Sequence, residues 1–259
     1  QEGMVGNFSS QTKIRIIGRK NPVLIKSKHR VQKHGEVFTP QWVIDKMIAI
    51  PGIKEKTQDI FATFLEPSAG EGAFLLAIED MKFQYIKDNY NKDLWGRYAL
   101  WALSSIYGIE LLEDNLTAAR QNMLELFINY YEIVCGARMS KQSNLYKSAR
   151  TIIWANVVQG NTLTRKTFIG GEIIFSNWER IPDYPFKVRR IPFAYSTLLN
   201  EDKHENSSTQ ISWFETEEKV EQLDMFSNID NHKESAPKAY RFAIVDIEQV
   251  WKEEKENVE

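Results

Sequence analysis

Apolar and polar positions alternate along this chain in two rhythms, and the changes between them mark the elements. Trp42, Val43, Met47 and Ile48 recur at helical spacing behind Pro40, which suits a first helical turn, and Pro51-Gly52 ends that helix. Residues 62–66 (ATFLE) form a short apolar run that predicts a buried strand, and residues 67–72 a tight loop. A helix is expected from about Ala73, with Phe74, Ala77, Ile78 and Met81 on one face. The stretch 87–96 is polar and rich in Asn and Asp, so it reads as a loop, with a second helical piece over 98–105. Residues 106–110 (IYGIE) predict the next strand. Leu116, Ala119, Met123, Leu126, Phe127 and Tyr130 mark a long amphipathic helix, and Ser143 caps another that runs to about Ala155. Val157-Val158 predicts a strand ending at Gly160-Asn161, and residues 172–175 (EIIF) predict one more. Residues 240–247 (YRFAIVDI) are again strand-like, with a charged helix expected after them. Near the start, residues 14–17 and 23–25 are short apolar runs, either strands or an arm.

Strands alternating with helices predict an α/β fold with a mostly parallel sheet and helices on both faces. Charge divides the chain further. Between Lys13 and Lys33 there are eight Lys or Arg residues and no acid, although the net charge is −2. Residues 1–33 therefore form a basic arm, which either lies on phosphates or is a solvated tail. Residues 34–200 form the main domain, and 201–259 an acidic extension that begins with a polar linker or insertion at 200–235. There Trp213 and Phe214 either dock a partner or pack locally.

Composition narrows the classes. Hydrophobic residues make up 42% and charged residues 26%, as in ordinary globular proteins. No apolar run approaches the roughly 18 residues of a membrane span, and no secretory h-region opens the sequence. The single cysteine, Cys135, excludes an internal disulfide and a cysteine-based zinc site; a reducing cytoplasm is expected. His29, His34, His204 and His232 lack metal-ligand spacing, so no metal is expected.

The strongest chemical signal is Glu66-Pro67-Ser68-Ala69-Gly70-Glu71-Gly72, set between a strand and a helix. Gly70 and Gly72 let the backbone approach a ligand, and the helix start offers N–H groups to a carboxylate. Glu66, at the strand end, suits an amine or a sulfonium. Glu110 ends the next strand, where an acid in a nucleotide fold binds ribose hydroxyls; its separation of 44 residues from Glu66 exceeds the usual ~20 by a polar loop and an extra helix. Asn161 could accept from an adenine amine, although Gly-Asn is mainly a turn signal.

Taken with these elements, His34-Gly35-Glu36-Val37-Phe38-Thr39-Pro40 resembles the N-terminal motif of the gamma group of amino-methyltransferases, which includes N6-adenine DNA methyltransferases and type I modification subunits. The resemblance covers about residues 34–180. It implies a Rossmann-like fold that binds S-adenosylmethionine (SAM). By position, Phe38, Thr39 and Pro40 would line the methionine end. Glu66, Ser68, Gly70 and Gly72 would surround methionine and sulfonium, Glu110 would hold the ribose, and Asn161 the adenine. Phe74 would pack its helix or touch the ligand. Family members end the fourth strand in Asn-Pro-Pro-Tyr or its Asp variant. This chain has Ser176-Asn177-Trp178-Glu179 there, so Asn177 would be the catalytic acceptor and Trp178 the stacking surface, or the segment is an ordinary strand end. The implied function is adenine methylation of DNA in a restriction-modification system, with recognition or catalysis supplied by a second subunit. The alternative is a catalytically silent subunit that binds SAM or a partner protein as a scaffold.

Overall fold

A computed structural model of the protein describes residues 39–199 and 240–257. The basic arm, Phe38 and the linker with Trp213 and Phe214 lie outside the described residues. The described chain is mixed α/β. In order, its main elements are α1 (Gln41–Ile48), α2 (Ile53–Lys56), β1 (Phe64–Glu66), α3 (Ala73–Asn89), α4 (Trp95–Ser104), β2 (Ile106–Glu110), α5 (Glu113–Cys135), α6 (Asn144–Asn156), β3 (Val157–Gln159), β4 (Ile174–Ile181), β5 (Tyr184–Ala194), β6 (Tyr240–Phe242), β7 (Val245–Asp246) and β8 (Lys255–Asn257).

Three strands form the parallel sheet, in the order β1-β2-β3. Every residue of β2 is buried, which fits its unbroken apolar run and its central place. One face of β2 meets α3: a Cβ on Gly108 would lie 2.8 Å from Leu75 Cδ1. From the opposite face Tyr107 and Ile109 join Ile173, Phe175 and Tyr195 in one apolar cluster. The ring of Tyr107 stands edge-on to Phe175, with centroids 5.3 Å apart. Arg120 on α5 donates from Nε to Val157 O at 2.8 Å, tying that helix to β3.

The mostly parallel sheet is realised only in these three strands. β4 does not extend it. It turns back through Pro182-Asp183 and pairs antiparallel with β5, from Ile174 opposite Ala194 to Ile181 opposite Tyr184. Asp183 takes a positive φ of 65° at the bend. β5 pairs in turn with β7, and β6 with β8, both antiparallel. The end of the chain is not the charged helix that the sequence suggests. Residues Ile247–Lys252 form a 3-10 turn whose Ile247 and Val250 are buried, and β8 follows. Arg97 on α4 fastens this segment through Glu248 (2.9 Å) and Asp246 (3.5 Å).

The turn before β1 is organised by a buried cation. Lys82 sits inside α3, fully shielded from water. Its Nζ donates to the carbonyls of Asp59 (3.2 Å), Ile60 (3.1 Å) and Ala62 (2.7 Å) and to Ser105 Oγ (2.7 Å). One side chain thus gathers the approach to β1, the body of α3 and the residue before β2. Burial pulls its pKa down from 10.5 to about 7, against the opposing pull of the Asp59 charge.

The sign of the resulting pH dependence follows from linkage. Between about pH 7 and 10 the unfolded chain holds a proton that folded Lys82 releases, so stability rises with pH across that window. Urea unfolding measured from pH 6.5 to pH 10 should show the rise, and Lys82→Met should flatten it. At pH 7 the same substitution should cost about 1–3 kcal/mol, because it leaves buried carbonyls without a donor.

Candidate cofactor-binding site

The candidate site is built where the carboxyl ends of β1 and β2 meet the start of α3. Leaving β1 at Glu66, the chain must turn sharply to enter α3, and two glycines absorb that turn. Gly70 has φ 54° and Gly72 has φ 86°, both left-handed. Gly72 is also pressed against α5: a Cβ there would lie 3.1 Å from Ala119 Cβ. The loop is held from below by the Ala69 N–H, which donates to Ile109 O at 2.9 Å. The first bond of α3 runs from the Leu76 N–H to Gly72 O, and the N–H groups of residues 73–75 lie ahead of it at the helix start, facing the loop end.

Glu110 connects the loop to the next strand. Its carboxylate is 6% exposed. Oε2 accepts from the Gly70 N–H at 2.7 Å, and Oε1 accepts from the Leu112 N–H at 3.0 Å and from Asn115 Nδ2 at 3.4 Å. Oε2 has a second lone pair, so a hydroxyl donor of a ligand can still be accepted. Glu66 is half-buried; Oε1 accepts from the Ser68 N–H at 3.3 Å. Burial raises its pKa, and that hydrogen bond opposes the rise. A cation arriving beside Glu66 would favour its charged form.

Of the residues expected at the site, Glu66, Ser68, Gly70, Gly72 and Glu110 come together here. Thr39 and Pro40 open α1, whose Val43 and Ile44 N–H groups bond to Pro40 O, and α1 packs on α3. Phe38 lies outside the described residues. Phe74 is partly buried in the first turn of α3. Asn161 lies near the loop, because the neighbouring Thr162 Oγ1 donates to Pro67 O at 2.5 Å. Its side chain is engaged differently from the expectation: Oδ1 accepts from the N–H groups of Leu163 (2.9 Å) and Thr164 (3.2 Å), closing a turn of its own.

Asn177 and Trp178 are a correction. Neither ends a strand; both lie inside β4, opposite Ile191 and Arg190. β4 also runs in the opposite direction to the parallel strands. Ile173 lies at their carboxyl ends, beside Gly160, whereas Trp178 Nε1 donates to Asn156 Oδ1 at 3.2 Å, just before β3 begins. Asn156 in turn donates to Ser104 O, just before β2. Trp178 is 5% exposed and belongs to the core. The pair therefore sits at the end of the sheet away from Glu66 and Glu110, and cannot form one site with them.

Sequence reading missed the donors that close the loop. Asn115 and the Asn122–Glu71 contact (Nδ2 to O, 3.1 Å) come from α5, and only their place on the face turned to the loop signals them. A separate cavity of about 490 Å³, lined by Asp93, Arg97, Tyr131, Cys135, Asn144 and Glu248 among others, shares no residue with the site. Among the described residues no cluster of His, Cys, Asp and Glu could hold a metal ion, and no helix is long and apolar enough to cross a membrane. The chain matches no protein-family model, no curated protein and no solved structure.

The glycine geometry can be checked directly. Gly72→Ala should destabilise the fold by about 1–3 kcal/mol, since it meets both a left-handed backbone and Ala119. Gly136→Ala, with φ 66° but open space around its Cβ, should cost less. Thermal unfolding of the two variants makes the comparison; equal losses would mean that contact with Ala119 is immaterial.

Proposed function

We propose that this chain is the SAM-binding part of an N6-adenine DNA methyltransferase of a restriction-modification system. One observation carries the reading: a left-handed glycine loop at a strand's carboxyl end, joined through the Gly70 N–H to a buried carboxylate at the end of the adjacent parallel strand. In this reading β1, β2 and β3 are one part of a Rossmann-like sheet. The N–H groups of α3 would hold the cofactor's carboxylate, Glu66 would lie near its sulfonium, and Glu110 would accept from a ribose hydroxyl. Bound there, the cofactor would supply an electrophilic methyl group to the adenine N6, leaving as a thioether while N6 gives up a proton. Positioning and acceptor hydrogen bonds are what a protein adds to such a step.

The place of β4 favours a division of labour. Since Asn177 and Trp178 stand at the far end of the sheet, the acceptor for the target amine comes from another segment or from a second subunit. A silent SAM-binding subunit is the companion reading, and it rests on that same observation.

Calorimetric titration with SAM tests the binding step. The full chain should bind, and Glu110→Ala should weaken binding by about tenfold or more, about 1.4 kcal/mol. Equal affinity in the variant would remove Glu110 from the site, and no heat at all with the native chain would defeat the reading. Methylation of DNA that survives Asn177→Ala would separate the active enzyme from any role of that residue.

A further inference from the structure

The segment that leaves β3 presents three apolar side chains almost wholly to water. Leu163 is 94% exposed, Phe168 92% and Ile169 82%, more than any other large hydrophobic side chain described. The segment is nevertheless tightly built. Asn161 bridges Lys166 and Lys166 bridges Glu172, each antiparallel. The first bend is closed by the Arg165 N–H on Asn161 O at 2.7 Å and by the Asn161 side chain. The second is closed by the Thr167 N–H on Gly171 O at 2.8 Å and the Gly170 N–H on Thr167 O at 3.0 Å. Thr162 pins the whole to Pro67 of the candidate cofactor loop. Ordering a backbone costs conformational entropy, and here the ordered tip holds apolar groups away from the core rather than in it. An apolar tip held out in this way marks an interaction surface.

Charge selects the partner. Between Gly160 and Gly171 the chain carries Arg165 and Lys166, both exposed, and no acid. Cations flanking an apolar wedge suit a nucleic acid, with the cations on phosphates and the apolar groups entering the base stack.

We propose that residues 161–171 are a DNA-wedging loop, with Arg165 and Lys166 on the backbone and Phe168 and Ile169 entering the duplex beside the base drawn toward the cofactor. This deepens the methyltransferase reading and rests on it for the identity of the neighbouring site. An extruded base leaves a gap in the stack, and an apolar pair at the tip of a segment anchored to the cofactor loop through Thr162 can fill it. The loop thereby lowers the cost of extrusion on the side where the methyl group is delivered.

The test uses the full chain and a mixed-sequence duplex carrying 2-aminopurine, whose fluorescence rises on unstacking. Affinity is read by anisotropy at several salt concentrations, and SAM titration and sedimentation are run on the same samples. Phe168→Ala/Ile169→Ala should weaken DNA binding by about tenfold and abolish the fluorescence rise, with the salt slope and the SAM affinity unchanged. Arg165→Ala/Lys166→Ala should instead lower the salt slope by about two, one for each phosphate no longer neutralised. Native DNA binding in the apolar variant, or no DNA binding by the wild-type chain at low salt, overturns the proposal. So does an apolar variant that loses self-association or capture by anionic vesicles while DNA binding persists. Loss of SAM binding in that variant would make the loop a support of the cofactor site and overturn it as well. Wedge-dependent DNA binding without SAM binding would leave the loop standing and defeat the methyltransferase reading, so the two fail separately.

Discussion

The carboxylate of Glu110 ties the loop after β1 to the start of α5. It accepts from the loop after β1 through Gly70, from the entry to α5 through Leu112, and from α5 itself through Asn115. A carboxylate buried at this depth would be costly without donors, and backbone N–H groups are donors that cannot swing away. The loop thus owes its shape to a residue 40 positions further along the chain. A ligand in the loop would bind to a surface already set before it arrives, which reduces the entropy lost on binding.

Much of this is legible in the sequence because it is local. The IYGIE run predicts β2 as Ile106–Glu110, and the apolar face from Leu116 to Tyr130 predicts α5. Ser143 caps α6 as its residue type suggests, its hydroxyl accepting from the Tyr146 N–H at 3.2 Å. Other positions depend on distant neighbours. β1 begins at Phe64 rather than Ala62, because Lys82 takes the carbonyls of Asp59, Ile60 and Ala62 for itself. α3 continues to Asn89, into a stretch whose polar composition predicts a loop, because Phe83 and Ile86 are anchored in the core and carry the last turn with them.

At the β4–β5 hairpin, resemblance to a family and the observed fold point in different directions. Sequence reading places no hairpin here; Pro182-Asp183 forms the bend between β4 and β5, with Asp183 at a positive φ. Matching residues 176–179 to a catalytic strand end places Asn177 beside the cofactor, whereas the hairpin takes it to the other end of the sheet. Strand direction, which a motif comparison does not supply, decides the matter. The same applies to Asn161: residue type allows adenine recognition, but two adjacent N–H groups claim its oxygen first.

The amine of Lys82 is completely buried behind the turn before β1. Its lowered pKa belongs to that burial and is lost on opening, when it becomes an ordinary lysine. The folded chain therefore shields an amine that acylating reagents reach only in the open state. Its rate of modification becomes a clock for the parting of α3 from that turn, and reports opening of the unit that carries the glycine loop without any probe being added to the loop itself.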